Sequence, residues 1–397
     1  MHNKFIAFLM GRFFDGISSG MFMMALPWLM LKNGASGVLI AMTALGCTLG
    51  SFLFTPWLAT LIDRHSRKAI LVWVQVIQVC TALTVLVAYG FHAESLWLLI
   101  AAQMIFWWSG DLAWSANSAF TQENFDSEEY AAISGRLEVV MQVTSLGSGA
   151  AGILLLSHWT MIEFSLFATL ASIVAAGCYR FMPYRQRIRI QQGAPFLTQL
   201  LDTKRIFLLQ PAFFVFLALS CLSYPTLTFL AKLIPIYFSE QELAGDWFAA
   251  WKVSYGFGAL FCGLFVARLL KRYSTEKAMI YSVLSLGLLL ISMFTVLNPL
   301  ILIALTFPFG FLNSYNRISR TVKMSMQVAV EERGRIDGGL KLFSTLFQSL
   351  GYVLIAWLSH HNLTGFGFVI AGLVLLFAAF IMTWLYRQRA HLPMPAV

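Results

Sequence analysis

Apolar positions in this chain neither alternate nor recur at a single helical spacing. They come in unbroken runs of about twenty residues or more, divided by short polar stretches. A run of that length crosses the hydrocarbon of a bilayer, where the backbone must satisfy its own hydrogen bonds, so each run is read as a transmembrane helix. Twelve spans are predicted, at roughly 5–31, 36–62, 69–91, 95–118, 130–157, 160–182, 206–238, 247–270, 278–297, 299–318, 337–359 and 363–386. The seventh carries Pro211, Pro225 and Pro235 and is expected to be kinked or broken. The most extended basic, polar connection is 183–205. It reads as a cytoplasmic linker between an N-terminal six-helix bundle, 1–182, and a C-terminal one, 206–397.

Composition agrees with this pattern. Of 397 residues 59% are hydrophobic and 11% charged, against roughly 25% charged in a soluble domain. Lipid must be the solvent for much of the surface. The net charge of +9 would suit a nucleic-acid partner, but its location argues otherwise. Arg64, Arg67 and Lys68, then Arg180, Arg185, Arg187, Arg189, Lys204 and Arg205, then Lys271, Arg272 and Lys277, then Arg317, Arg320, Lys323, Arg333 and Arg335 fall in loops on one side. The opposite loops hold Lys32 beside Glu94, Glu163, Glu240, Glu242 and Asp246. That asymmetry is the positive-inside pattern, and it puts both termini in the cytoplasm of a bacterial inner membrane. Five cysteines without paired spacing read as packing residues. No phosphate loop, zinc motif or hydrolase triad is present, so neither an enzyme nor an ATP-driven pump is expected, and no cofactor.

The two halves repeat each other. Ile62-Asp63-Arg64-His65-Ser66-Arg67-Lys68-Ala69-Ile70 parallels Leu270-Lys271-Arg272-Tyr273-Ser274-Thr275-Glu276-Lys277-Ala278-Met279 with one insertion. Ile133-Ser134-Gly135-Arg136-Leu137-Glu138 likewise parallels Ile336-Asp337-Gly338-Gly339-Leu340-Lys341. Parallel six-helix repeats related by an axis along the membrane normal describe one large transporter class, whose solute site lies between the halves.

In Gly50, Ala59, Asp63, Arg64, Ser66, Arg67 and Lys68 the chain resembles the major facilitator superfamily, whose signature after the second helix has Gly at the first two places and at that of Ser66. Gly334-Arg335-Ile336-Asp337-Gly338 is similar to the matching loop in the branch of the enterobactin exporter and macrolide-efflux proteins. The resemblance implies an all-α membrane fold of twelve helices in two repeats and alternating access. It also implies a conformational latch at Asp63, Arg64, Arg67 and Lys68, in which a carboxylate holds a cation or a helix end in one state and releases it in another. Gly147-Ser148-Gly149-Ala150-Ala151-Gly152 lacks the proline of the antiporter signature.

An ionisable residue within a span costs at least about 2.5–3.5 kcal/mol on insertion scales, so each demands a reason. The candidates are Arg12, Asp15, Asp111, Arg136 and Glu138 in the first half, and Lys232, Lys252 and Lys341 in the second. The third, sixth, ninth and twelfth spans, which form the outer support in the superfamily, have no charge in their interiors. Asp15, Asp111 and Glu138 are therefore the proton-coupling candidates. Arg12, Arg136, Lys232, Lys252 and Lys341, with Trp114 one turn from Asp111, are the substrate-binding candidates. The alternatives are local neutralisation for Arg12 and Asp15, three apart on one face, and snorkelling for Lys232 and Lys252. Trp107, Trp108 and Trp114 suit a stacking wall or plain bundle packing, Gln75 and Gln78 hydrogen bonding within the bundle, and the glycines at 147, 149, 152, 256, 258 and 263 close helix packing.

The expected activity is export of a small amphipathic or anionic molecule, a siderophore or drug, by a proton-coupled secondary transporter that acts as a monomer on protons and a small-molecule substrate within the lipid bilayer. Uptake of an organic anion uses the same features. A non-transporting receptor or scaffold is the reading of another class.

Overall fold

A computed structural model describes residues 2–32, 37–156, 158–184, 205, 207–243, 245–296, 298–330 and 332–390. Among them every long element is a helix: α1 (His2–Lys32), α2 (Gly37–Arg64), α3 (Arg67–Gly90), α4 (Leu96–Asn124), α5 (Tyr130–Leu155), α6 (Met161–Phe181), α7 in two pieces, α7a (Pro211–Cys221) and α7b (Ser223–Glu240), α8 (Gly245–Arg272), α9 (Thr275–Val296), α10 (Pro299–Gln327), α11 (Arg333–His360) and α12 (Phe366–Ala390). Ten of the crossings are long and apolar enough to span a membrane by composition alone. The remaining two, α5 and α10, carry polar residues inward, among them Glu138 and Gln142 on one and Asn313 and Asn316 on the other. The chain is a multi-pass membrane protein.

Helices four, ten and eleven outrun their predicted spans. The fourth continues from 118 to Asn124, the tenth from 318 to Gln327, and the eleventh begins at Arg333 rather than 337. Arg317, Arg320 and Lys323 therefore ride on α10 and are not in a loop. Most of the expected linker, 185–204, lies outside the described residues.

The seventh crossing is broken, and the sequence says why. Pro225 has no N–H to offer the Cys221 carbonyl, and its ring collides with that carbonyl in a continuous helix. The chain turns at Leu222 and restarts at Ser223, which puts Pro225 in the first turn of α7b, where no such bond is needed. Asn316 Nδ2 on α10 donates to the Ser220 carbonyl at 2.8 Å and to Ser223 Oγ at 2.8 Å. Arg320 Nη1 donates to the same carbonyl at 3.0 Å. A backbone group freed inside a membrane protein must find such partners.

The chain divides into two compact units, Met1–Ala194 with Val328–Gly338, and Pro195–Gln327 with Gly339–Val397. Each has its own core. In the first, Phe22, Leu26, Met30, Leu99, Phe106 and Phe164 pack together; in the second, Leu233, Val283, Leu286, Leu290, Phe309 and Phe368 do. The pairing of helices recurs. In the first unit α3 packs on α4 and α6, and α2 on α4; in the second α9 packs on α10 and α12, and α8 on α10. Gly258 and Gly310 make the α8–α10 approach possible, since a Cβ on either would strike the other helix's carbonyl oxygens. The glycines at 147 and 149 do not serve that purpose: a Cβ there would meet nothing within 4 Å. Gln78 donates to Ser109 Oγ at 3.3 Å, whereas neither amide atom of fully buried Gln75 has a hydrogen-bond partner among the described residues. Cys47, Cys221 and Cys262 are buried packing residues, but Cys80 is exposed.

Candidate functional site

A buried polar cluster sits at the end of the first unit that carries the α2–α3 loop. Asp63 closes the last turn of α2, where a carboxylate opposes the helix dipole. It is repaid at the start of another helix. Asp63 Oδ1 accepts from the Gly334 backbone N–H at 2.7 Å, and Oδ2 accepts from the Arg335 backbone N–H at 3.0 Å and from its Nε at 3.3 Å. These amides belong to the first turn of α11, whose N–H groups have no partner inside their own helix. Asp63 is thus the N-cap of α11, supplied from 271 residues away. The two helices approach closely. A Cβ at Gly334 would lie 2.5 Å from the Ala59 carbonyl oxygen, and one at Gly338 2.9 Å from the Ala59 Cβ.

Behind Asp63 stands Arg67, fully buried at the start of α3. Its Nη1 donates to the Ala119 carbonyl at 3.3 Å and lies 3.6 Å from Glu123 Oε2, its Nη2 donates to the Val330 carbonyl, and Asp63 is 3.9 Å away. The planar guanidinium serves several acceptors at once, which an ammonium of the same charge cannot do with fixed geometry. Glu123, with no side-chain exposure, also accepts from Tyr184 Oη at 2.7 Å. Gln122 Nε2 donates to the Val328 carbonyl at 2.5 Å, so two carbonyls of the segment before α11 are held by the first unit. Of the other expected latch residues, Lys68 donates to the Met182 carbonyl at 2.7 Å and Arg64 is exposed. Glu123, Gln122 and Arg333 were missed by sequence reasoning. Arg333 is buried and pairs with Asp337 at 2.8 Å.

The intramembrane candidates fall into separate places. Arg12 Nη1 donates to Asp15 Oδ2 at 2.6 Å, an i,i+3 ion pair. Glu138 is buried and accepts from Gln142 Nε2 at 2.9 Å, while Arg136 is exposed with its guanidinium 4.4 Å from the Phe5 ring centre. Asp111 Oδ2 accepts from Ser51 Oγ at 2.5 Å, and Ser51 Oγ accepts from Trp107 Nε1 at 3.1 Å. Trp114, on the same face of α4, is half-exposed.

In the second unit Lys232 on α7b and Lys252 on α8 are both exposed. Lys252 Nζ sits 4.7 Å over the Phe248 ring. Phe248, Trp251 and Tyr255 form a stacked ladder, with centroids 5.6 Å and 6.5 Å apart, and Asn313 Nδ2 donates to Tyr255 Oη at 2.8 Å. Lys341 is half-buried in the third turn of α11.

A sequence model described as the Major Facilitator Superfamily matches residues 8–321. No curated protein matches the chain significantly. Among solved structures, a bacterial homologue of the iron transporter ferroportin in an outward-facing state superposes with a TM-score of 0.75 at 15% identity, covering 97% of this chain and 99% of that one. A second structure of such a homologue, with soaked iron, gives 0.73 at 16% identity over 98% and 99%. The human organic anion transporter MFSD10 (TETRAN) gives 0.67 at 12% identity over 96% and 99%. At these identities the likeness is one of fold.

Proposed function

The chain belongs to the major facilitator superfamily, and within that family we propose that it is a proton-coupled secondary transporter exporting a small amphipathic, negatively charged molecule by alternating access. As a family member it is a transporter of small molecules and not an enzyme. The observation that carries the anionic reading is the pair of Lys232 and Lys252. Each puts a cation on a membrane-spanning helix of the second unit, and an anionic solute beside them offsets the cost of that charge. The stacked rings of Phe248, Trp251 and Tyr255 beside them favour a solute with an aromatic or flat apolar body, of which a siderophore is the specific case.

Glu138 is the proton carrier in this reading, with Asp15 tied to Arg12. Asp63 and the start of α11 form the latch. While the carboxylate caps α11, that helix end stays fixed, and its release frees it to move. The basic loop ends and both termini face the cytoplasm of a bacterial inner membrane, and one chain suffices for the cycle. Inverted membrane vesicles test the proposal. An anionic substrate should accumulate when a proton gradient is imposed, and an uncoupler should abolish the accumulation. Export unaffected by the uncoupler would overturn proton coupling. Unchanged anion affinity in the doubly substituted Lys232→Gln, Lys252→Gln protein would overturn the anion site.

A further inference from the structure

We propose that the face of α4 bearing Asp111 is a binding site for organic cations: quaternary ammonium or phosphonium ions, or protonated tertiary amines with apolar arms. The site lies wholly within the first unit and shares no residue with the lysine pair, so it goes beyond the anionic reading.

The argument begins with hydrogen direction. An indole N–H can only donate, so Trp107 Nε1, at 3.1 Å, takes a lone pair of Ser51 Oγ. The Ser51 proton is left to point at Asp111 Oδ2, 2.5 Å away. The relay thus aims a hydroxyl proton at a carboxylate in the middle of a membrane span, and an ionisable side chain there calls for a functional reason.

The surroundings suggest what the carboxylate is for. Trp107 and Trp114 stand four residues before and three after Asp111, on its own face of α4, and are 42% and 46% exposed. From α2, one and two turns beyond Ser51, come Phe54 and Trp57, 42% and 54% exposed. Phe54 sets its edge against Trp108 with centroids 5.1 Å apart, and lies 6.4 Å from Trp57. Trp108 is itself fixed by a bond to the Cys47 carbonyl at 3.0 Å. A carboxylate among half-exposed aromatic faces is the chemistry that recognises a bulky, weakly hydrated cation, since ring faces carry negative potential and apolar arms pack on the rings. A metal ion wants several hard ligands, and among the described residues no three His, Cys, Asp or Glu side chains converge.

Titration of the purified protein in detergent with tetraphenylphosphonium, followed by tryptophan fluorescence and calorimetry, tests the site. Saturable binding is expected. Asp111→Asn should weaken it at least about tenfold, Asp111→Glu by less than about threefold, and Ser51→Ala by about three- to tenfold, which corresponds to the loss of one ion pair or one oriented hydrogen bond. Lys271→Gln, in the exposed α8–α9 loop, should leave it unchanged. Trp107→Phe keeps the ring and removes the N–H, so its effect should match that of Ser51→Ala and vanish when combined with it. Absence of saturable binding to the unsubstituted protein overturns the proposal, as does equal affinity in Asp111→Asn. Where Asp111→Asn lowers the melting temperature, the Ser51 and Trp107 variants decide. The lysine variants test anion binding separately, so either site can fail alone.

Discussion

The α2–α3 loop and the α8–α9 loop occupy matching places in the two repeats, yet two of their four matching charges are reversed. Asp63 corresponds to Lys271 and Arg67 to Glu276. Each loop keeps one ion pair between the start of the third helix of its repeat and the end of the fourth. In the first unit it is Arg67 with Glu123, in the second Glu276 with Lys323. Duplication has kept the location of the pair and left its sign free. The environments differ as well. Arg67 and Glu123 are both fully buried, whereas Lys323 and Glu276 keep 11% and 23% side-chain exposure. Only the first loop adds a carboxylate that captures the start of another helix, while Lys271 is exposed. The salt bridge recurs at both corners, and the first adds the hydrogen bonds from the start of α11 to Asp63.

The largest effect expected is at Arg67. Removing one member of a buried pair strands the other, at about 3–5 kcal/mol, so Arg67→Leu should lower the melting temperature in detergent far more than Lys323→Leu. Restoring part of the loss with Glu123→Leu in the same chain would tie it to that pair. Next comes charge exchange. Glu276→Lys with Lys323→Glu should be nearly neutral, within about 1 kcal/mol, because both side chains keep some contact with solvent. Arg67→Glu with Glu123→Arg should not be tolerated, because a carboxylate cannot donate to the Ala119 and Val330 carbonyls. If both exchanges behave alike, the contrast between the corners is only one of burial. A smaller stability effect but a clear transport effect is expected at Asp63. Asp63→Asn removes a charged cap worth about 1–2 kcal/mol and should slow vesicle transport at least about tenfold, with Lys271→Gln within about twofold of the unsubstituted rate. Gly334→Ala probes the same contact sterically: its methyl would lie 2.5 Å from the Ala59 carbonyl oxygen and 2.7 Å from Asp63 Oδ1, so the backbones of α2 and α11 must move apart. It should break the Asp63 cap and lower the melting temperature as well as slow transport.

Much of this was legible in the sequence. Long apolar runs gave the crossings, the paired loop motifs gave the repeat, and three prolines announced a break in α7. Asp63 and Arg67 stood out because the motif spacing singled them out. Glu123 did not. The turn Thr121-Gln122-Glu123-Asn124 reads as a polar loop, because hydropathy measures the thickness of the lipid and not the length of a helix. Past the apolar run α4 continues among its neighbours, where Arg67 and Tyr184 meet the carboxylate. The start of α11 was placed four residues late for a related reason. Its cap comes from Asp63, and no local rule reports a partner 271 positions away.

The break in α7 bears on how the protein is made. At 1.5 Å per residue the eleven residues of α7a extend about 16 Å, half the thickness of the hydrocarbon. The Ser220 carbonyl at its end is satisfied by Asn316 and Arg320, which lie 96 and 100 positions further along the chain. When α7 leaves the ribosome those partners have not been synthesised, and at about 5–20 residues per second they arrive some 5–20 seconds later. The seventh crossing enters the membrane as an incomplete element, and the arrival of α10 completes it.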